Sequence, residues 1–207
     1  MSKEELEQVA AEVSVCPKCN LCKTRTKAVP GEGSASAAIM LIGEGPGYHE
    51  DKQGRPFVGA AGQFLDELLQ HAGVKRAEVF ITNVVKCRPP NNRDPLPEEI
   101  AACSGYLDRQ IAAINPQVIV TLGRFSMQKF FPGANISSIH GKARKVNGRV
   151  VVPMYHPAAG LHDIQKRPII VEDFKKVAVA LAEAQRMAEP EKPKPDDDQP
   201  QQLSLFG

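Results

Sequence analysis

Apolar and polar residues alternate along this chain with two distinct periods. Short, mostly apolar runs occur at Ala37–Ile42, Val79–Val84, Val118–Leu122 and Val150–Met154. Runs of this length, rich in Val and Ile, predict strands buried on both faces. Between them the apolar spacing changes to three and four. Phe64, Leu65, Leu68 and Leu69 share one face of a helix predicted over 59–71. Ile100, Leu107 and Ile111 share one face of a second, opened by Pro97 and reaching about Ile114. A short helix is predicted over 3–12, another begins at Gly123, and a last one covers 172–187. Lys145 to Gly148 reads as a hairpin partner of the fourth run. Strands alternating with helices predict an α/β fold: three layers, α/β/α, around a central, mostly parallel four-stranded sheet.

The chain has 207 residues, 42% of them hydrophobic, which suits one compact domain. Composition shifts at Ala188, after which Pro, Glu, Lys and Asp dominate to Pro200. Residues 1–187 are therefore expected to form the domain, and 188–207 a disordered tail closed by an apolar cluster. The charged, helix-prone start is no secretory signal, and no apolar run is long enough to span a bilayer. The expected compartment is the cytoplasm. In that reducing setting five cysteines read as metal ligands or redox groups rather than as a disulfide framework. Net charge is +2, but the tail is acidic, so the body is more basic than the total suggests. Its cations gather at Lys86, Arg88 and Arg93, at Lys142, Arg144 and Lys145, and at Lys166 and Arg167. That distribution suits a surface facing phosphates.

In an open parallel sheet, sites form beyond the carboxyl ends of the strands. Four segments arrive there with unusual residues: Gly43-Glu-Gly-Pro-Gly47, Thr82-Asn83, Leu122-Gly123 and Tyr155-His156-Pro157. The glycine turn lacks the Lys-Ser/Thr of a phosphate loop, and Pro46 breaks the dinucleotide fingerprint. Its glycines do let backbone amides approach a ligand closely.

Three longer stretches carry a resemblance. The first runs from Gly43 through Glu50 and Asp51 to Gly54-Arg-Pro-Phe-Val-Gly59, the second from Thr82 to Arg93, and the third over Tyr155-His-Pro-Ala158. In this order they resemble the motifs of the family 4 uracil-DNA glycosylases, over about Cys16 to Leu161. The resemblance implies a monofunctional glycosylase that flips deoxyuridine out of DNA and releases uracil. Asn83 would read the base edge, donating to O4 and accepting from N3–H, which cytosine would mismatch. Phe57 would stack on the base. His156 would donate to O2, where negative charge develops, with amides of Gly45 and Gly47 as further donors. The better-known first family places an Asp where Gly45 stands here. The water-handling role then falls to Glu50, with Asn92 as helper, while Glu44 shapes the pocket. Arg88 and Arg93 would face DNA, and Leu161 would fill the stack or lie in the core.

Cys16 and Cys19 have the spacing of a metal knuckle, whereas Cys87 and Cys103 are fifteen residues apart. By resemblance these four bind a [4Fe–4S] cluster; thiolates alone would equally suit zinc. Cys22 is a free thiol or an alternative ligand. Gln202, Leu203, Leu205 and Phe206 in the tail resemble the peptide that binds the bacterial sliding clamp. Partners expected are therefore uracil-containing DNA and that clamp, with the protein itself a monomer. Three rivals stand beside this reading: a broader-specificity glycosylase of a neighbouring family, a non-catalytic iron–sulfur protein that binds DNA at the clamp, and an electron carrier.

Overall fold

The computed structural model describes residues 2–188, so the clamp-like peptide at 202–206 lies outside the described residues. The sheet contains β1 (Glu32–Gly33), β2 (Ile39–Gly43), β3 (Phe80–Asn83), β4 (Val118–Leu122), β5 (Arg144–Val146) and β6 (Arg149–Met154). Their order is β1-β3-β2-β4-β6-β5. The four apolar runs are its parallel centre, β3-β2-β4-β6. The sheet has six strands rather than the four expected, because a short antiparallel strand pairs onto each side. β5 is the hairpin return, turned by Asn147 and Gly148 at φ 48° and 80°, both of the positive sign that a tight hairpin turn demands. β1 has two residues and no apolar alternation, so nothing in its pattern announces it.

Strand alternation divides the core in two. Ile39, Leu41, Val120 and Val152 face one way and meet Phe64 and Leu68 of α3 (Ala60–His71) and Ile170, Phe174 and Val177 of α8 (Lys166–Ala188). Met40, Ile42, Ile119 and Val151 face the other way and meet Cys103, Leu107 and Ile111 of α4 (Pro97–Ile114). The expected three layers are therefore present. α8 begins six residues before its predicted start because Pro168 lies in its first turn, where a missing N–H costs nothing. α1 (Ser2–Val15) lies outside α4, with Val9 and Val13 against Tyr106. Arg109 of α4 fastens it, donating to Glu5 at 2.6 Å and to Glu12 at 2.5 and 3.0 Å.

β3 lies on one side of β2 and β4 on the other. The chain thus leaves β2 in one direction and returns in the opposite one, which opens a crevice at the carboxyl ends of the strands. Two short helices, α5 (Arg124–Gln128) and α6 (Ile136–Ile139), lie between β4 and β5, while α2 (Tyr48–Gln53) and α7 (Pro157–His162) border that crevice, following on the ends of β2 and β6. Among the described residues no helix is long and apolar enough to cross a membrane.

Phe174 is fully buried between α8 and the sheet. Phe174→Ala is expected to lower stability by about 3–5 kcal/mol, read as a lower midpoint in urea unfolding with an unchanged slope.

Candidate active site

Asn83 ends β3, in register with Gly43 at the end of β2. A Cβ on Gly43 would lie 2.3 Å from Asn83 Oδ1 and 2.8 Å from the Phe57 ring. Only glycine lets the amide and the ring meet over that backbone. Asn83 is 1% exposed, yet among the described residues neither Oδ1 nor Nδ2 has a hydrogen-bond partner. Burying an unpaired donor and acceptor costs about 1–3 kcal/mol for each group. Phe57 belongs both to the core and to the wall of a cavity of about 480 Å3. Its backbone sits at φ 52°, a left-handed conformation that a bulky residue rarely adopts. The Phe57 ring stacks on His156, with centroids 5.6 Å apart and planes at 28°. The structure thus brings Asn83, Phe57 and His156 together at one end of the sheet.

Glu50 holds this arrangement in place. Its carboxylate accepts from Gly47 N–H at 3.1 Å, and from Val58 N–H and Gly59 N–H at 2.9 Å each. One side chain therefore ties the glycine turn after β2 to the loop carrying Phe57. The Gly47 amide is consequently engaged with Glu50, and Gly45 lies against Val85. Glu44 also lines the cavity, and its carboxylate makes no hydrogen bond or ion pair among the described residues. Burial, and then the nearby Asp94, raise its carboxyl above the usual range, with Arg124 opposing them.

His156 caps α7 and Pro157 occupies its first turn. Ala158 N–H donates to His156 Nδ1 at 3.2 Å, so the proton of the neutral ring resides on Nε2. Burial lowers its pKa to about 4, against a weaker upward pull from Glu50. At neutral pH the ring is an uncharged donor.

The remaining expected residues spread around this centre. Asn92 lines the cavity and accepts from Arg88 Nε at 2.7 Å. Arg93 turns away, pairing with Glu99 at 2.7 and 2.9 Å, so its charge is already compensated. Leu161 is 43% exposed on α7 rather than in the core.

Lys86 is a residue that sequence reasoning placed on the surface. It is 1% exposed and donates to Thr82 Oγ1 at 2.6 Å, Asn83 O at 2.8 Å and Gln110 Oε1 at 2.7 Å. Gln110 Nε2 in turn donates to Pro30 O at 2.7 Å. A buried ammonium with three acceptors fixes the backbone that presents Asn83.

Cys16, Cys87 and Cys103 are buried and Cys19 and Cys22 partly so, all as free thiols. Burial pushes the Cys87 thiol up to about 11 and raises Cys19 and Cys103, and neighbouring cysteines add to each shift. Arg25 binds Cys87 Sγ at 3.2 Å and Cys16 O at 2.9 Å, joining the two halves of the set. Among the described residues no three His, Cys, Asp or Glu are arranged to hold a single metal ion. Thiolates are donors that zinc and iron–sulfur groups share, so the set suits a metal of that class.

Because the folded pKa of His156 lies below its ordinary 6.5, its contribution to stability is complete above that value and is lost as pH falls through about 4. A ring titration by NMR should give a midpoint near 4; a midpoint near 6.5 contradicts the buried neutral ring.

The sequence model of the Uracil DNA glycosylase superfamily matches residues 30–183. The chain is 53% identical over 188 residues to a "Type-4 uracil-DNA glycosylase" of Sulfurisphaera tokodaii, covering 84% of each chain. It is 45% identical to one of Thermotoga maritima, covering 84% of this chain and 94% of that one. A "Type-5 uracil-DNA glycosylase" of Pyrobaculum aerophilum is 30% identical, with 77% and 74% covered. With the crevice, its unpaired amide and these likenesses together, the chain belongs to the uracil-DNA glycosylase superfamily, and within it to the type-4 enzymes.

Proposed function

We propose that this protein hydrolyses the N-glycosidic bond of deoxyuridine in DNA, releasing uracil and leaving an abasic site for base excision repair. The observation that carries this reading is the buried, doubly unpaired amide of Asn83 beside Phe57 and His156. Uracil offers an acceptor at O4 and a donor at N3–H, the complement of that amide. Cytosine reverses both groups and would leave them unpaired. Phe57 supplies the face on which the extruded base stacks. Neutral His156 places its Nε2–H toward O2, where charge develops as the bond to the sugar breaks.

Glu50 serves this chemistry as a positioning residue, since its oxygens are held by three backbone amides. Among the described residues the Glu44 carboxylate has no hydrogen-bond or ion-pair partner, and Glu44 shares the cavity wall with Asn92. These two, in place of Glu50, are our candidates for orienting the attacking water. Leu161, exposed beside the cavity residues Ala158 and His162, would enter the gap left by the flipped base. Among the described residues no lysine lines the cavity, and we read turnover as hydrolysis rather than as passage through a Schiff base.

Cys16, Cys19, Cys87 and Cys103 would hold a [4Fe–4S] cluster. When bound, it would supply structural anchoring, tying the knuckle after α1 to the loop that follows Asn83. Cys22 is left outside this set. Residues 202–206 would dock Leu205 and Phe206 in an apolar pocket of the bacterial sliding clamp, with Gln202 and Leu203 setting the register. Tethering there raises the effective concentration on newly copied DNA. The enzyme would act as a cytoplasmic monomer.

Wild-type protein should release free uracil from a duplex carrying one deoxyuridine. His156→Ala should lower kcat by about 10²–10³-fold. Asn83→Asp should lose uracil activity and gain activity on cytosine, because its carboxylate accepts from the 4-amino group; loss without that gain overturns the edge-reading role. In a clamp pull-down, removal of residues 202–206 should abolish recovery, and equal recovery of both forms sinks the tether.

A further inference from the structure

We propose that Tyr48, Lys52 and Arg88 form a clamp for a DNA phosphodiester beside the flipped nucleotide, an inference that rests on the glycosylase reading above. The first support is charge that the fold leaves uncompensated. Arg55, Arg76, Arg93, Arg109, Arg124 and Arg167 each pair with a carboxylate. Arg88 and Lys52 make no ion pair among the described residues. Among the described residues Arg88 commits only its Nε, to Asn92 Oδ1 at 2.7 Å, and its two terminal nitrogens make no hydrogen bond.

The second support is placement. Tyr48 follows Gly47, and Arg88 is bonded to Asn92; Gly47 and Asn92 both line the active-site cavity. The Tyr48 ring is 52% exposed. The Arg88 guanidinium lies 5.2 Å and the Lys52 ammonium 5.7 Å from its centroid, and His49 braces it edge-on at 5.4 Å. An aromatic face attracts such cations through its quadrupole. Two like charges held around one ring also repel each other, and an anion shared between them relieves that repulsion. A phosphodiester is the anion that a flipped nucleotide brings to this rim, with the Tyr48 hydroxyl as an added donor.

The test measures binding of the full chain to a duplex carrying one non-hydrolysable 2′-fluoro-deoxyuridine across a salt series. Lys52→Gln and Arg88→Gln should each reduce the slope of log Kd against log salt by about 1, and weaken binding roughly fivefold to tenfold near 0.1 M salt. Tyr48→Ala should weaken binding, and Tyr48→Phe should retain most of the affinity, because the ring holds both cations. Lys175→Gln removes the same charge on α8, where Lys175 pairs with Glu172, and should leave the slope unchanged. Wild-type slopes in both Lys52→Gln and Arg88→Gln overturn the clamp. Uracil release by the wild type, assayed in parallel, separates the two failures. Release with unaltered slopes removes the clamp alone, whereas no release removes the glycosylase reading beneath it.

Discussion

The missing side chain at Gly43 is the constraint around which the site is built. Parallel pairing sets Gly43 beside Asn83, and the space a Cβ would fill is taken by Asn83 Oδ1 and the Phe57 ring. Any larger residue would part the amide from the aromatic surface. Everything else near the crevice preserves that meeting. Glu50 draws the two loops together from one side, and Lys86 secures the Asn83 carbonyl from behind. Neither needs to touch a base to govern where one would sit.

The arrangement is costly in folding terms and informative for that reason. A buried amide without partners, a phenylalanine at positive φ and an ammonium in the core each oppose stability. Two dense apolar layers, one on each face of the sheet, offset them. The meeting of these three features around the carboxyl end of β3 is the physical mark of a site, since a purely structural core has no use for them together.

Much of this was legible in the sequence. The four parallel strands stand out because each is a short apolar run bounded by glycine, proline or polar residues, and the crevice follows from their alternation with helices. Asn83 and His156 were readable as polar residues ending apolar strands. The tie made by Glu50 was not, because its partners are the amides of Val58 and Gly59, which carry no side-chain signature. Lys86 was missed because lysine is by default a surface residue, and its acceptor Gln110 is remote in sequence. Arg93 misled for the converse reason: Glu99, which neutralises it, reads as an ordinary residue of the first turn of a helix. Helix α7 had a usable signal, since Pro157 after a capping residue marks a helix start.

The two short outer strands matter beyond the crevice. β5 carries Arg144 and Lys145 along its exposed length, and β1 stops after two residues. A sheet whose outermost ladders are charged or cut short offers little template for a further strand from another copy. The apolar centre, four strands wide, is thereby guarded against edge-to-edge pairing with another sheet.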